Sequence, residues 1–179
     1  MTKQIYQIKI VLKNSQPAIW RRVLVNSDIL LADFHYIIQA VMGWTNSHLH
    51  QFEKGGIYYA PEDFELEGSK DYEKVHLHTL ISREKEKITY EYDFGDGWRH
   101  EITLEKILPF SESTKVPVCT AGKRNCPPED CGGVWGYAEL LETISDPKHP
   151  DYEDMIEWLG DEFDPEHFDI EEINSDLEE

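Results

Sequence analysis

Polar and apolar residues alternate from residue 4 to residue 12, placing Tyr6, Ile8, Ile10 and Leu12 on one face, and again from 19 to 25 around Ile19, Arg21, Val23 and Val25. A period of two marks half-buried strands, so the pattern predicts two strands joined across Asn14-Ser15-Gln16-Pro17. Between Leu31 and Met42 the period changes. Phe34, Ile37, Ile38, Val41 and Met42 fall on one stripe of a helix, with Ser27 or Asp28 as candidate cap and Gly43 as its end. Short apolar runs predict further strands at His48 to Phe52, Ile57 to Tyr59 and Val75 to Ile81.

The clearest alternation lies at Lys87 to Phe94 and Trp98 to Ile107. Ile88, Tyr90, Tyr92 and Phe94 share a face in the first segment, Trp98, His100, Ile102 and Leu104 in the second, and Gly95-Asp96-Gly97 lies between them. This is a hairpin over a core. After Pro109 the chain is irregular and rich in Pro, Gly, Cys and charge for roughly two dozen residues, a length that is usually functional or tied down by something. A helix with Val134, Tyr137, Leu140, Leu141 and Ile144 on one side follows. Pro150 suits the first turn of another, carrying Met155, Ile156 and Leu159 and closed by Gly160. Asp169 and Glu172 have capping-box spacing ahead of Ile170, Ile173 and Leu177. The prediction is an α+β fold: a bent, mostly antiparallel sheet, open to a barrel-like closure, with one N-terminal helix and two to three C-terminal helices.

Composition refines this reading. The 179 residues suit a single domain, 1–179, with enough aromatic side chains to build its core. The net charge of −19 disfavours non-specific binding to nucleic acid or anionic membrane, and direct nucleic-acid binding is not expected. That charge is concentrated. From Asp151 onward there are fourteen Asp or Glu and no Lys or Arg, so residues 161–179 read as an acidic C-terminal extension. MTKQIYQIKI lacks the apolar core of a signal peptide, and no run is long enough to span a bilayer, which predicts a cytoplasmic protein.

Three cysteines cannot all pair in disulfides. Cys119, Cys126 and Cys131 lie in the long loop, and zinc would fix such a loop if a fourth ligand were at hand. His100 is the candidate fourth ligand, with His48 and His50 as alternatives; the competing reading is buried thiols without metal. His100 lies on an apolar face, where a hydrogen-bonded core histidine is the common case. Asp93 and Asp96, with Glu91 upstream, could bind magnesium or manganese, although Asp-Gly is also what a tight turn requires. The segment Pro127 to Gly133 precedes a helix but lacks the Gly-Lys-Ser or Gly-Lys-Thr ending of a phosphate loop. Arg21-Arg22 and Lys123-Arg124 are the basic pairs that could touch a phosphate backbone, and pairing to carboxylates explains them equally well.

Several stretches together resemble the plasmid pRiA4b ORF-3-like family: Ile19-Trp20-Arg21-Arg22, Leu31 through His35 with Gln39, Met42-Gly43-Trp44, and His48-Leu49-His50 with Phe52. Tyr92 through Asp96 with Trp98 and His100, Cys126 through Gly133 with Gly136-Tyr137, Trp158-Leu159-Gly160 and Phe163 through Glu166 extend it over most of the chain. The resemblance implies an association with plasmid or transposable-element genes rather than a defined reaction. With no recognisable catalytic motif, the leading expectation is a non-catalytic binding or adaptor domain for an unknown protein partner. The alternative is a metal-dependent hydrolase, such as a nuclease, using His48, His50, Asp93, Asp96 or His100.

Overall fold

The computed structural model describes residues 2–160 and 162–178; Asp161 and Glu179, the two ends of the acidic extension, lie outside them. Eight strands form one sheet: β1 Gln4–Leu12, β2 Trp20–Asn26, β3 His50–Lys54, β4 Ile57–Ala60, β5 Lys70–Asp71, β6 Lys87–Tyr92, β7 Trp98–Pro109 and β8 Val118–Lys123. The order is β5-β4-β3-β6-β7-β1-β2-β8, antiparallel except between β4 and β5, and the sheet is open rather than closed as a barrel. Among the described residues five α-helices accompany it: α1 Leu31–Met42, α2 Leu77–Leu80, α3 Gly133–Ser145, α4 Tyr152–Leu159 and α5 Ile170–Asp176.

The alternation in the sequence becomes burial. Tyr6, Ile8, Ile10 and Leu12 of β1, Val23 and Val25 of β2, and Trp98, His100, Ile102 and Leu104 of β7 are all buried, as is the α1 stripe from Phe34 to Met42. Gly43 ends α1 in the left-handed conformation, its N–H donating to the Gln39 carbonyl. The start of α1 differs from expectation, because Leu30 is the N-cap and no side chain caps the helix.

Four further expectations change. Residues Val75 to Ile81 do not form a strand: Leu77 and Leu80 are buried on one side of the short helix α2, and only His76 bridges to Leu30. β3 starts at His50, so His48 lies in the loop before it. β6 ends at Tyr92, paired with Trp98, and residues 93 to 97 make the connection. Phe94 therefore leaves the strand face and is exposed. The long loop also contains β8, which pairs with β2 and makes one edge of the sheet.

An edge strand exposes unpaired backbone groups unless something covers it. Here α5 does so: the Asn174 carboxamide accepts from the Cys119 N–H at 2.8 Å and donates to the Cys119 carbonyl at 3.0 Å. Asp169 caps that helix as its spacing predicts, accepting from the N–H groups of Glu171 and Glu172.

Three of the four residues of the basic pairs are held within the fold. Arg21 is buried, its Nε donating to the Val41 carbonyl at 2.7 Å and its Nη1 to the carbonyls of Trp20 and Lys123. Arg22 is held by both oxygens of Glu105, at 2.6 and 2.9 Å. Buried Arg124 pairs with Glu166.

Candidate functional site

A helix whose buried face carries polar side chains must satisfy them internally. On α1, His35 and Gln39 are one turn apart and both buried. The Tyr90 hydroxyl of β6 stands 2.7 Å from His35 Nδ1 and accepts from Gln39 Nε2 at 2.9 Å. Beyond the helix, Asn46 Oδ1 lies 2.9 Å from His35 Nε2, and the Asn46 N–H donates to Gln39 Oε1 at 2.8 Å. Because Asn46 Oδ1 can only accept, the proton of neutral His35 sits on Nε2, and Nδ1 accepts from the Tyr90 hydroxyl. The four residues form a closed circuit that fixes Asn46, whose φ is 54°, and with it the loop that leads to His48 and His50.

Tyr90→Phe would leave His35 Nδ1 and the Gln39 amide without partners in a dry interior. We expect a loss of about 2–3 kcal/mol in urea unfolding, since each orphaned buried group costs roughly 1–3 kcal/mol. A loss below about 0.5 kcal/mol would mean the circuit contributes nothing net.

His50 stacks on His35, ring centroids 3.5 Å apart and 7° from coplanar. Its Nε2 is 2.8 Å from the Tyr72 hydroxyl, whereas its Nδ1 is buried with no hydrogen-bond partner among the described residues. Burial lowers the pKa of His35 to about 4. Burial, then the neighbouring His35, lowers His50 to about 3, so both rings are neutral at physiological pH. Burial also raises the Tyr72 hydroxyl. These residues line an open cavity of about 570 Å³ that also takes in Tyr36, Ser47, Leu49 and Phe64.

His48 faces a second group at the rim of this cavity. Its Nε2 lies 2.8 Å from Asp130 Oδ1, 3.6 Å from Asp93 Oδ2 and 3.8 Å from Glu129 Oε2, without the alignment of a hydrogen bond to any of them. Three separate segments meet here: the loop before β3, the β6–β7 connection and the turn before α3.

The cysteines do not share a ligand set with His100. Among the described residues, the one group of three or more His, Cys, Asp or Glu side chains that converges closely enough for a metal is His48, Asp93 and Asp130. Cys119 lies on β8 opposite Val23, while Cys126 packs against Gly43. All three are free thiols. Burial raises the pKa of each, Cys131 to about 12. His100 accepts from Trp44 Nε1 at 3.1 Å, which puts its proton on Nδ1, 3.2 Å from the Tyr90 carbonyl. Burial lowers its pKa to about 4, and neither nitrogen is free for a ligand. Asp96 Oδ2 accepts from the Gly132 N–H at 3.1 Å, and Asp96 does not join the His48 group.

Sequence reasoning selected His48, His50 and Asp93, but it gave Glu129, Asp130, Gln39 and Asn46 no joint role. The available signal was polar residues at positions 35 and 39 on an apolar helical stripe.

The plasmid pRiA4b ORF-3-like protein profile matches residues 4–172. The chain is 38% identical over 162 residues to the uncharacterized protein y4hQ of Sinorhizobium fredii, covering 89% of this chain and 83% of that one. It is also similar to the crystal structure of MM3350, a protein of unknown function from Methanosarcina mazei Go1. The TM-score is 0.84 and the identity 41%, covering 96% of this chain and 98% of that one.

Proposed function

We propose, on the premise that the chain belongs to the plasmid pRiA4b ORF-3-like family, that it is a non-catalytic binding domain whose ligand enters the cavity lined by His35 and His50. The observation that carries this reading is an open cavity of about 570 Å³ lined by His35, His50, Phe64 and Tyr72. A size of roughly 300–1,000 Å³ suits a small ligand or an inserted side chain. The walls combine the Phe64 and Tyr72 rings with the Asn46 amide and the Ser47 hydroxyl, which suits a small planar group bearing a hydrogen-bonding edge.

The same chemistry argues against catalysis in the cavity. His35 and His50, at about 4 and 3, are weak bases, and the thiols of buried Cys119 and Cys126 and half-buried Cys131 all have raised pKa values. Of the residues a hydrolase would recruit, His50 and His100 are buried with depressed pKa values, which leaves that alternative His48, Asp93 and Asp96. The working picture is a cytoplasmic adaptor serving plasmid or transposable-element genes, in which recognition of a protein partner includes this cavity.

Ligand-observed NMR against nucleobases, aromatic amino-acid amides and other small planar polar compounds tests the reading. Binding of at least one class is expected. Leu49→Trp, which fills the cavity mouth from an exposed position, should weaken it by at least about tenfold, or 1.4 kcal/mol. Unaltered binding by this variant would move the site elsewhere, and turnover of a bound compound by the wild-type chain would overturn the non-catalytic reading.

A further inference from the structure

We propose that His48, Asp93 and Asp130 form a site for one divalent transition-metal ion, with Glu129 beside it and independent of the cavity's own ligand. The Asp93 side chain is only 10% exposed, and one of its two carboxylate oxygens is already used. Oδ1 accepts from the N–H groups of Gly95 and Asp96, at 3.0 and 3.3 Å. Oδ2 accepts no hydrogen bond among the described residues and faces His48 Nε2. Glu129 repeats this division. Oε1 accepts from the Thr45 N–H at 2.9 Å and from the Tyr92 hydroxyl at 3.0 Å, whereas Oε2 is buried and unpartnered among the described residues.

Anchoring one carboxylate oxygen by backbone or hydroxyl donors while the other points inward is how an outer shell of hydrogen bonds orients metal ligands. The inward atoms have suitable spacing. Bonds of about 2.0–2.2 Å place neighbouring ligand atoms roughly 3.0–3.5 Å apart, and Nε2 lies 2.8, 3.6 and 3.8 Å from the three carboxylate oxygens. The ligand atoms of His48, Asp93 and Asp130 all fall within 4.8 Å of one another. One imidazole with two converging carboxylates suits Mn²⁺, Fe²⁺ or Zn²⁺ better than the all-oxygen shells of Ca²⁺ and Mg²⁺. The ion would neutralise converging carboxylates and tie the loop before β3, the β6–β7 connection and the turn before α3 to one point.

Asp93→Asn is the most informative substitution. Asn tolerates the left-handed φ of 58° and retains an oxygen for Gly95 and Asp96, so the connection stays intact while the charge is lost. The full chain is stripped with chelator, dialysed and titrated calorimetrically with Mn²⁺ and, separately, Zn²⁺. One ion per chain is expected. Asp93→Asn and His48→Gln should each weaken it by at least about 100-fold, and Cys126→Ser should leave it unchanged.

Imidazole ¹⁵N spectra with Zn²⁺ give a second readout, in which the His48 Nε2 resonance shifts while that of His100 does not. No saturable binding tighter than roughly 1 mM by the wild-type chain would overturn the proposal. So would binding that survives both substitutions or is lost with Cys126→Ser while circular dichroism shows that variant folded. Because wild-type titration needs no variant to fold, and cavity ligands are tested by Leu49→Trp, failure here is distinguishable from failure of the cavity reading.

Discussion

Mild acid should unfold this protein well above the pH at which carboxylates protonate. His35, His50 and His100 have pKa values of about 4, 3 and 4 when folded, against 6.5 for an unperturbed histidine. Above pH 6.5 both states hold these rings neutral and stability is fully present. Below it, the unfolded chain takes up protons that the folded chain refuses, so stability falls with pH until the folded values are reached. Each ring contributes up to about 1.4 kcal/mol per pH unit, and three together roughly 4 kcal/mol per unit.

Other groups do not mask this window. Hydrogen bonds from the Ser82 and Arg83 backbone lower Glu86, and a hydrogen bond from Arg22 lowers Glu105, so their stabilisation is lost only below about pH 4.5. His167 is raised by Glu172 and has the opposite sign, but the pair is exposed and screened. Urea unfolding followed from pH 7.5 to 5 should show a steep decline with net proton uptake approaching three on unfolding, a pattern that requires several buried histidines. A midpoint unchanged across that range would contradict neutral burial of the three rings.

A single methyl group at Gly136 should be nearly as damaging. A Cβ there would stand 2.0 Å from the Cys131 carbonyl oxygen, and backbone cannot swing aside as a side chain can. Gly136→Ala must therefore push the first turn of α3 away from the turn that carries Glu129 and Asp130. We expect a cost of about 3 kcal/mol or more in equilibrium unfolding, the upper end for overpacking. Gly97→Ala provides the contrast. Its φ is 69°, but an added Cβ meets nothing within 4 Å, so only the left-handed penalty of roughly 1–2 kcal/mol applies. Equal costs for the two substitutions would remove the close approach as the explanation.

The sequence disclosed elements whose periodicity runs long enough to be unambiguous. β1, β2, α1, β6 and β7 each repeat an apolar face several times. β8 stayed hidden because only Cys119 is buried along it, so there is no alternation to detect. In α2, Leu77 and Leu80 come one helical turn apart, but four residues are too few to distinguish that from a strand. The rim of the cavity was half legible. His48 and Asp93 stood out as chemistry, whereas Glu129 and Asp130 lay in a segment compared with phosphate loops. What joins them is long-range contact, the Gly132 N–H on Asp96 and the Thr45 N–H and Tyr92 hydroxyl on Glu129, and no local pattern encodes that meeting.

The cover over β8 has a consequence during synthesis. β8 can pair with β2 as soon as it leaves the ribosome, but Asn174, which satisfies the outer N–H and C=O of Cys119, is translated considerably later. Until then a nascent chain carries a nearly complete sheet with one bare margin, the interval in which strand addition between neighbouring polypeptides competes with folding. Elongation speed and chaperone access over that stretch thus bear on how much of this protein reaches its native state.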